Sequence, residues 1–299
     1  MTIPLIDLQA ASAEQLARSI DDALCGAGFF AITSHGVPDA VMVAAFEVSR
    51  RFFALEEGAK RRWHVERSPH KRGFDPIGWQ SLDPAQPPDV KESFYLGVEA
   101  IGPNQWPDET LVPGFRAACN AYAAQMATLA RRLMALFEMA LGLPTGHFDG
   151  FMHQPTCTTR LLHYPPQPLQ AAPGQIGCGA HTDWGALTLL AQDDAGGLQV
   201  RLKNGDWLDV TPIRGALVVN VGEMTQRWTN DRWPSTLHRV INRHSGRDRW
   251  SIAYFFDLDA QAVIEPLPGC VGDGRPARYG PITAGEHLAE MYRRTTVAA

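Results

Sequence analysis

Apolar positions recur at helical spacing in the first half of the chain, whereas in the second half they alternate or cluster in short runs. After the extended "IPLIDL", the segment from Ala13 to Cys25 has helical periodicity. Gly26 and Gly28 then bracket a switch into the strand-like "FFAITS". A second helix is predicted from Pro38 and Asp39, where proline suits a first helical turn, through "VMVAAFEVSRRFFAL". Residues 68–88 hold Pro69, Gly73, Pro76, Gly78, Pro84, Pro87 and Pro88, which predicts a segment without regular structure, suited to a lid or pocket wall. A long helix from Gly114 to Leu141 is stopped by "LGLP".

From Cys157 onward the runs "TTRLLHYP", "ALTLLA", "GLQV", "DWLDV", "GALVVNVG", "STLHRVI" and "RWSIAYFF" follow one another between turns. Strands at this spacing predict a sandwich or barrel of the jelly-roll kind. "ALVVNV" is apolar on both faces, as a strand covered by helices on one side would be. "AGEHLAEMYRRT" reads as a terminal helix. The expected chain is mainly β with flanking helices and forms one unit over 1–299. Within it, 1–115 is an N-terminal helix and strand region, 116–156 the long helix and its connection, 157–265 the β core, and 266–299 a C-terminal segment and helix.

Composition narrows the partners. A hydrophobic share of 45% with 20% charged residues is ordinary for a globular chain. The net charge of −5 carries no basic block, so neither nucleic acid nor an anionic membrane surface is indicated and a small-molecule partner is expected. Cys25, Cys119, Cys157, Cys178 and Cys270 are scattered and form no C-x-x-C pair, which points to reduced thiols rather than a disulfide framework or a thiolate zinc site. "MTIPLIDL" has no basic region before its apolar residues, and "LMALFEMALGL" is too short to span a bilayer and carries Glu138. A cytoplasmic protein, monomeric or weakly homo-oligomeric, is expected.

Candidate chemistry sits in "HTDWGALTLLAQDDAGGLQV". Residues i and i+2 of a strand point to one face, so His181 and Asp183 would aim at one point while Thr182 faces away. The pair alone is weak, since "HFD" at His147 to Asp149 has the same spacing; there the aspartate is expected to cap the next turn. Downstream company separates the two: His238 in "STLHRV" lies on another predicted strand and would complete two histidines and one carboxylate. That set leaves coordination positions open, as non-haem Fe(II) oxygen chemistry requires. Arg249 and Ser251 repeat the i, i+2 spacing and either grip a carboxylate together or are a surface arginine beside a strand serine. Tyr164, before two prolines, is either a third donor or a packing residue.

With these residues in place, the chain resembles the isopenicillin N synthase-like branch of the Fe(II)/2-oxoglutarate-dependent dioxygenases. The likeness runs almost end to end through "IPLIDL", "GFFAITSHGVP", "DVKESFYLG", the His181 to Val200 stretch, "GALVVNVGEMTQRWTN", "STLHRV" and "RWSIAYFF". The resemblance implies a double-stranded β-helix, a distorted jelly-roll barrel over 157–265 with the metal site inside its open end. It implies Fe(II) ligands at His181, Asp183 and His238, and 2-oxoglutarate held by Arg249 and Ser251 with Tyr164 in contact. Many members have an asparagine where this chain has Leu162, which removes one polar contact near the co-substrate, and Arg160 stands where members often carry a basic residue. The implied reaction uses O2, decarboxylates 2-oxoglutarate to succinate and CO2, and hydroxylates, desaturates or cyclises a small organic substrate. The alternatives are an Fe(II) oxidase on the same scaffold that needs no 2-oxoglutarate, and a non-catalytic metal-binding barrel. By position in the family, the loop "SPHKRGFDPIGW" and the terminal helix are candidate walls of the substrate pocket, and Arg72, Phe74, Phe94, Trp228 and Phe255 either line it or are ordinary packing or solvent-exposed residues.

Overall fold

Two facing sheets form the body of the protein, seen in a computed structural model that describes residues 2–79, 87–166, 174–241 and 246–295. The N-terminal part supplies β1 (Leu5–Asp7), α1 (Ala13–Gly26), β2 (Phe29–Thr33), α2 (Asp39–Phe53), α3 (Glu57–Lys60), β3 (Gly73–Asp75), β4 (Glu92–Gly97) and α4 (Phe115–Ala140). There follow β5 (Thr158–Tyr164), β6 (Cys178–His181), β7 (Leu187–Gln192), β8 (Leu198–Arg201), β9 (Trp207–Asp209), β10 (Leu217–Val221), α5 (Glu223–Trp228), β11 (His238–Val240) and β12 (Arg249–Phe256). A small hairpin, β13 (Val263–Ile264) with β14 (Ile282–Thr283), leads into α6 (Ala284–Thr295).

The large sheet runs β1-β2-β10-β7-β12-β5-β4-β3 and the small one β6-β11-β8-β9. Within these two sheets β1 and β2 pair in parallel and the other neighbours are antiparallel. This is the jelly-roll barrel that the strand spacing predicted. Both edges of its large sheet are supplied by chain preceding α4, so the β core extends beyond 157–265. Within the segment read as irregular, Gly73–Asp75 forms a short edge strand between Pro69 and Pro76; residues 80–86 lie outside the described residues. Three residues suffice for an edge strand, and neither proline has to donate to its ladder.

Strand alternation divides the interior in two. Ile252, Tyr254 and Phe256 of β12 join Leu161, Leu187, Leu189, Leu217 and Val219 in a core shared with α1, α2 and α4. The opposite face of the same strands carries Leu162, Tyr164, Val218 and Ala253, which pack with Cys178, Leu198, Val200 and Val240 of the small sheet inside the barrel. Burial of the first set at about 25 cal/mol per Å² makes the helix-covered side the main source of stability. The barrel side is left to hold polar groups.

The helices begin and end where local chemistry dictates. Ser12 and Gln15 close a reciprocal capping box at α1. At the end of α4, buried Glu138 accepts from Gly146 N at 2.8 Å and Phe148 N at 2.7 Å, tying the helix to the following turn. Gly28 has φ +72°, and a Cβ there would lie 2.1 Å from Thr236 Oγ1, so glycine lets β2 approach the segment leading into His238. Asp149 makes no capping bond: Phe148 precedes the short Asp149–Phe151 turn, contrary to the capping role expected for "HFD".

Candidate active site

His181, Asp183 and His238 meet inside the barrel with their nearest ligand atoms all within 4.8 Å of one another. His181 ends β6 and is paired directly with His238, which begins β11. Asp183 lies beyond the end of β6, not on its pleat, so the strand argument for its direction does not hold. Its carboxylate is placed instead by neighbours. Oδ2 accepts from Thr188 Oγ1 at 2.6 Å and Asn220 Nδ2 at 2.7 Å, which leaves Oδ1 turned toward His238 Nε2 at 3.7 Å.

Both imidazoles are held by one device. His181 Nδ1 lies 2.8 Å from Gly179 O, and His238 Nδ1 lies 3.0 Å from Thr236 O. A carbonyl can only accept, so Nδ1 carries the proton and Nε2 keeps its lone pair. Phe29 packs edge-on against His238 at 5.2 Å. Burial holds the His181 pKa below its ordinary value, and burial with His181 alongside lowers that of His238 to about 4. Burial acting alone would raise the Asp183 pKa, but His238, His181 and the bonds from Thr188 and Asn220 together keep it low. At neutral pH the site is therefore two neutral imidazoles and one carboxylate. That donor set fits a divalent transition metal with open positions.

The loop after Asp183 is docked tightly. Asp183 O accepts from Glu223 N at 2.9 Å and Ser235 Oγ at 3.0 Å, and Thr182 Oγ1 donates to Glu223 at 2.7 Å. A Cβ on Gly222 would lie 2.3 Å from Gly185 O, so only glycine permits this approach. From outside, α6 covers the loop: His287 Nε2 lies 3.1 Å from Trp184 O, and Tyr292 packs edge-on against Trp184 at 5.0 Å. The terminal helix thus packs on the loop that follows Asp183.

Arg249 is 1% exposed. Its Nε donates to Gly196 O at 2.7 Å, Nη1 to Ser251 Oγ at 3.3 Å and Nη2 to Gln192 Oε1 at 3.1 Å, while the guanidinium stands 4.8 Å over the Tyr164 ring. The surface-arginine alternative is therefore excluded. Among the described residues this buried cation has no carboxylate partner, and a buried charge is stable only when compensated. An anion fits there. A Cβ on Gly177 would touch the Tyr164 ring at 3.0 Å, and β6 runs from its neighbour Cys178 to His181, a span on the order of 10 Å at about 3.3 Å per residue. The Tyr164 side and the His181 side of the barrel are thus joined by one short strand.

Of the expected pocket residues, Phe255 packs against the barrel-side cluster. Phe74 and Phe94 belong to the helix-side core around Phe52 and Phe115, and Trp228 stacks on Phe148. Arg72 donates to the carbonyls of Gly102 and Val98 and supports a turn. Phe74, Phe94 and Trp228 are core residues, because a strand or helix face that reads as apolar serves the outer core as readily as a pocket.

Several functional residues had escaped the sequence reading. Thr188 and Asn220 orient Asp183, and Gln192 orients Arg249. Asp89, ion-paired with buried Lys91, accepts from Gly179 N at 2.8 Å and steadies the strand that carries His181. The available signal was a lone polar residue inside an apolar strand, as Asn220 is in "LVVNV", because buried amides need partners. Thr188→Val and Asn220→Ala each remove one restraint on the Asp183 carboxylate. Either should weaken Fe(II) binding or lower activity by roughly 10- to 100-fold, read in an anaerobic Fe(II) titration and a turnover assay; unchanged values in both would remove the orienting role.

The model of the 2OG-Fe(II) oxygenase superfamily matches residues 155–258, and that of the non-haem dioxygenase in morphine synthesis N-terminal region matches residues 3–109. A 2-oxoglutarate-Fe(II) type oxidoreductase of Emericella nidulans is 35% identical, covering 98% of this chain and 88% of the relative. A homoarginine-6-hydroxylase of Oryza sativa subsp. japonica is 33% identical over 92% of this chain and 88% of its own. The crystal structure of a full-length Neurospora crassa protein in complex with alpha-KG and thymine superimposes with a TM-score of 0.90 at 32% identity, covering 98% of this chain and 97% of that one.

Proposed function

Because the chain belongs to the 2OG-Fe(II) oxygenase superfamily and is a 2-oxoglutarate-dependent dioxygenase using Fe(II) and O2, we propose that His181, Asp183 and His238 hold the iron and that Arg249, Ser251 and Tyr164 hold 2-oxoglutarate, for hydroxylation of a small organic molecule. The single observation that carries the co-substrate assignment is the buried Arg249 guanidinium, surrounded by neutral acceptors and lacking a carboxylate among the described residues. The distal carboxylate of 2-oxoglutarate supplies that missing charge.

When bound, Fe(II) supplies the redox chemistry: one O2 and one 2-oxoglutarate give succinate and CO2, and one oxygen atom enters a substrate C–H bond. The chain's own part is geometric. Gly179 O and Thr236 O keep the Nε2 lone pairs of His181 and His238 available, while Thr188 and Asn220 leave Asp183 one oxygen for the metal. Arg249 and Ser251 set the register of the co-substrate through a charge-assisted grip. Trp184, the docked loop and α6 wall off the mouth, which favours chemistry away from water. That one relative is named a homoarginine-6-hydroxylase and another was solved with thymine supports a small nitrogen-bearing substrate.

A screen of small nitrogen compounds under O2, with succinate and product measured together, tests this reading. Succinate and hydroxylated product should form in equal amounts with the right compound. O2 consumption and product formation with no need for 2-oxoglutarate would reassign Arg249 and Ser251 to a carboxylate of the substrate.

A further inference from the structure

A second buried charged cluster occupies the inward face of the large sheet. Register pairs Asp75 with Ser93, Ser93 with Leu162 and Leu162 with Ser251, and it pairs Tyr95 with Arg160 and Arg160 with Ala253. Residues directly opposed in a sheet share a face, as do residues two apart on one strand. Asp75, Ser93, Tyr95 and Arg160 therefore face the same barrel interior as Ser251 and Arg249. Their rows fall between the pair Arg249–Tyr164 and the row of Phe255 and Thr188, whose hydroxyl holds Asp183. The cluster thus lines the space beside the co-substrate and the metal ligands.

Its internal bonds do not reach every oxygen of Asp75 among the described residues. Arg160 Nη2 donates to Ser93 Oγ at 3.0 Å and lies 3.6 Å from Asp75 Oδ2, and the guanidinium stands 4.4 Å over the Tyr95 ring. Ser93 Oγ donates to Asp75 Oδ2 at 3.2 Å. Asp75 Oδ1 is buried, has no hydrogen-bond partner among the described residues, and belongs to a residue only 5% exposed. A buried carboxylate oxygen left unmet is costly unless something donates to it.

The charges here indicate what that donor belongs to. Asp75 and Arg160 offset one another, so an acid or an amine would bring an uncompensated charge into a buried wall. Their pairing leaves the wall positive at the guanidinium and negative at Oδ1. That polarity matches an amide edge, where a C=O lies beside an N–H.

Resting on the assignment of Arg249 to 2-oxoglutarate, we propose that Asp75 reads the substrate: its Oδ1 accepts from the N–H of a neutral cyclic amide or imide whose C=O is turned toward Arg160. Asp75 is then a specificity residue for the oxygenase reaction, and N-alkylation of the substrate at that position abolishes recognition.

Binding can be read without turnover, as perturbation of the visible band of the anaerobic Fe(II)–2-oxoglutarate protein by glutarimide, N-methylglutarimide, cyclohexanecarboxylate and cyclohexylamine. Glutarimide should half-saturate at a concentration roughly 10- to 100-fold below that of N-methylglutarimide, the usual range for a buried hydrogen bond to a charged group. Asp75→Ala should erase that gap, and Asp75→Asn, which keeps the shape with a weaker neutral acceptor, should shrink it to several-fold. The 2-oxoglutarate band itself reports that each variant has kept its barrel. Equal binding of the two imides, a gap that survives both variants, preference for the acid or the amine, or no response to any probe would each overturn the proposal. A wild-type protein with no band on 2-oxoglutarate alone would overturn the Arg249 assignment first, and this inference with it.

Discussion

Asp183→Ala and His238→Ala should each abolish turnover and weaken Fe(II) binding by more than about 100-fold, while His147→Ala changes neither. Loss of hydrogen bonds that merely orient a ligand typically costs roughly 10- to 100-fold, so loss of the ligand itself costs more. The three candidate ligand atoms lie within 4.8 Å of one another, and each residue's other polar atom is already engaged by the protein. No fourth residue among those described joins the group to replace a missing ligand. His147 has the same H-x-D spacing as His181, yet it packs against Phe148 at 5.2 Å and Phe151 at 6.1 Å beyond the end of α4. Anaerobic Fe(II) titration of the three variants checks this. Metal loss in His147→Ala, or full binding in Asp183→Ala or His238→Ala, would contradict the assignment.

Arg249→Ala should raise the concentration of 2-oxoglutarate needed for half-maximal turnover by roughly tens- to thousands-fold, because stranding one partner of a buried charge pair costs about 2–5 kcal/mol. Arg249→Lys should recover only part of this. Nε, Nη1 and Nη2 each make a separate bond, to Gly196, Ser251 and Gln192, and a single ammonium cannot reproduce that fork. Fe(II) affinity measured without co-substrate should stay near wild type in both, which separates loss of grip from loss of metal. A co-substrate titration unchanged in both variants would remove Arg249 from the role.

The periodic elements and the donor chemistry were legible in the sequence because both show in residue type and short-range spacing. Helix α4 and strands such as β12 announce themselves by period, and H-x-D, a distant histidine and R-x-S are residue types that this chemistry needs. What stayed hidden depends on pairing across the chain. Nothing local says that β1, β2, β3 and β4 finish both edges of the large sheet, nor that Asp183 leaves its strand and is aimed by Thr188 and Asn220. Nor can a strand's own pattern say which face meets helices and which meets the barrel. Phe74 and Phe94 are accordingly core residues, and their neighbours Asp75, Ser93 and Tyr95 take the opposite, barrel-side face.

The most direct test of the whole site is the visible spectrum of the anaerobic Fe(II) protein as 2-oxoglutarate is added. A weak charge-transfer band should appear, because in the proposed site keto-acid chelation at iron and anchoring at Arg249 would be one binding event. It should be absent in Asp183→Ala and His238→Ala, and in Arg249→Ala it should require roughly tens- to thousands-fold more 2-oxoglutarate. A band that forms equally well without Asp183 or Arg249, or no band in the wild-type protein, would contradict the account.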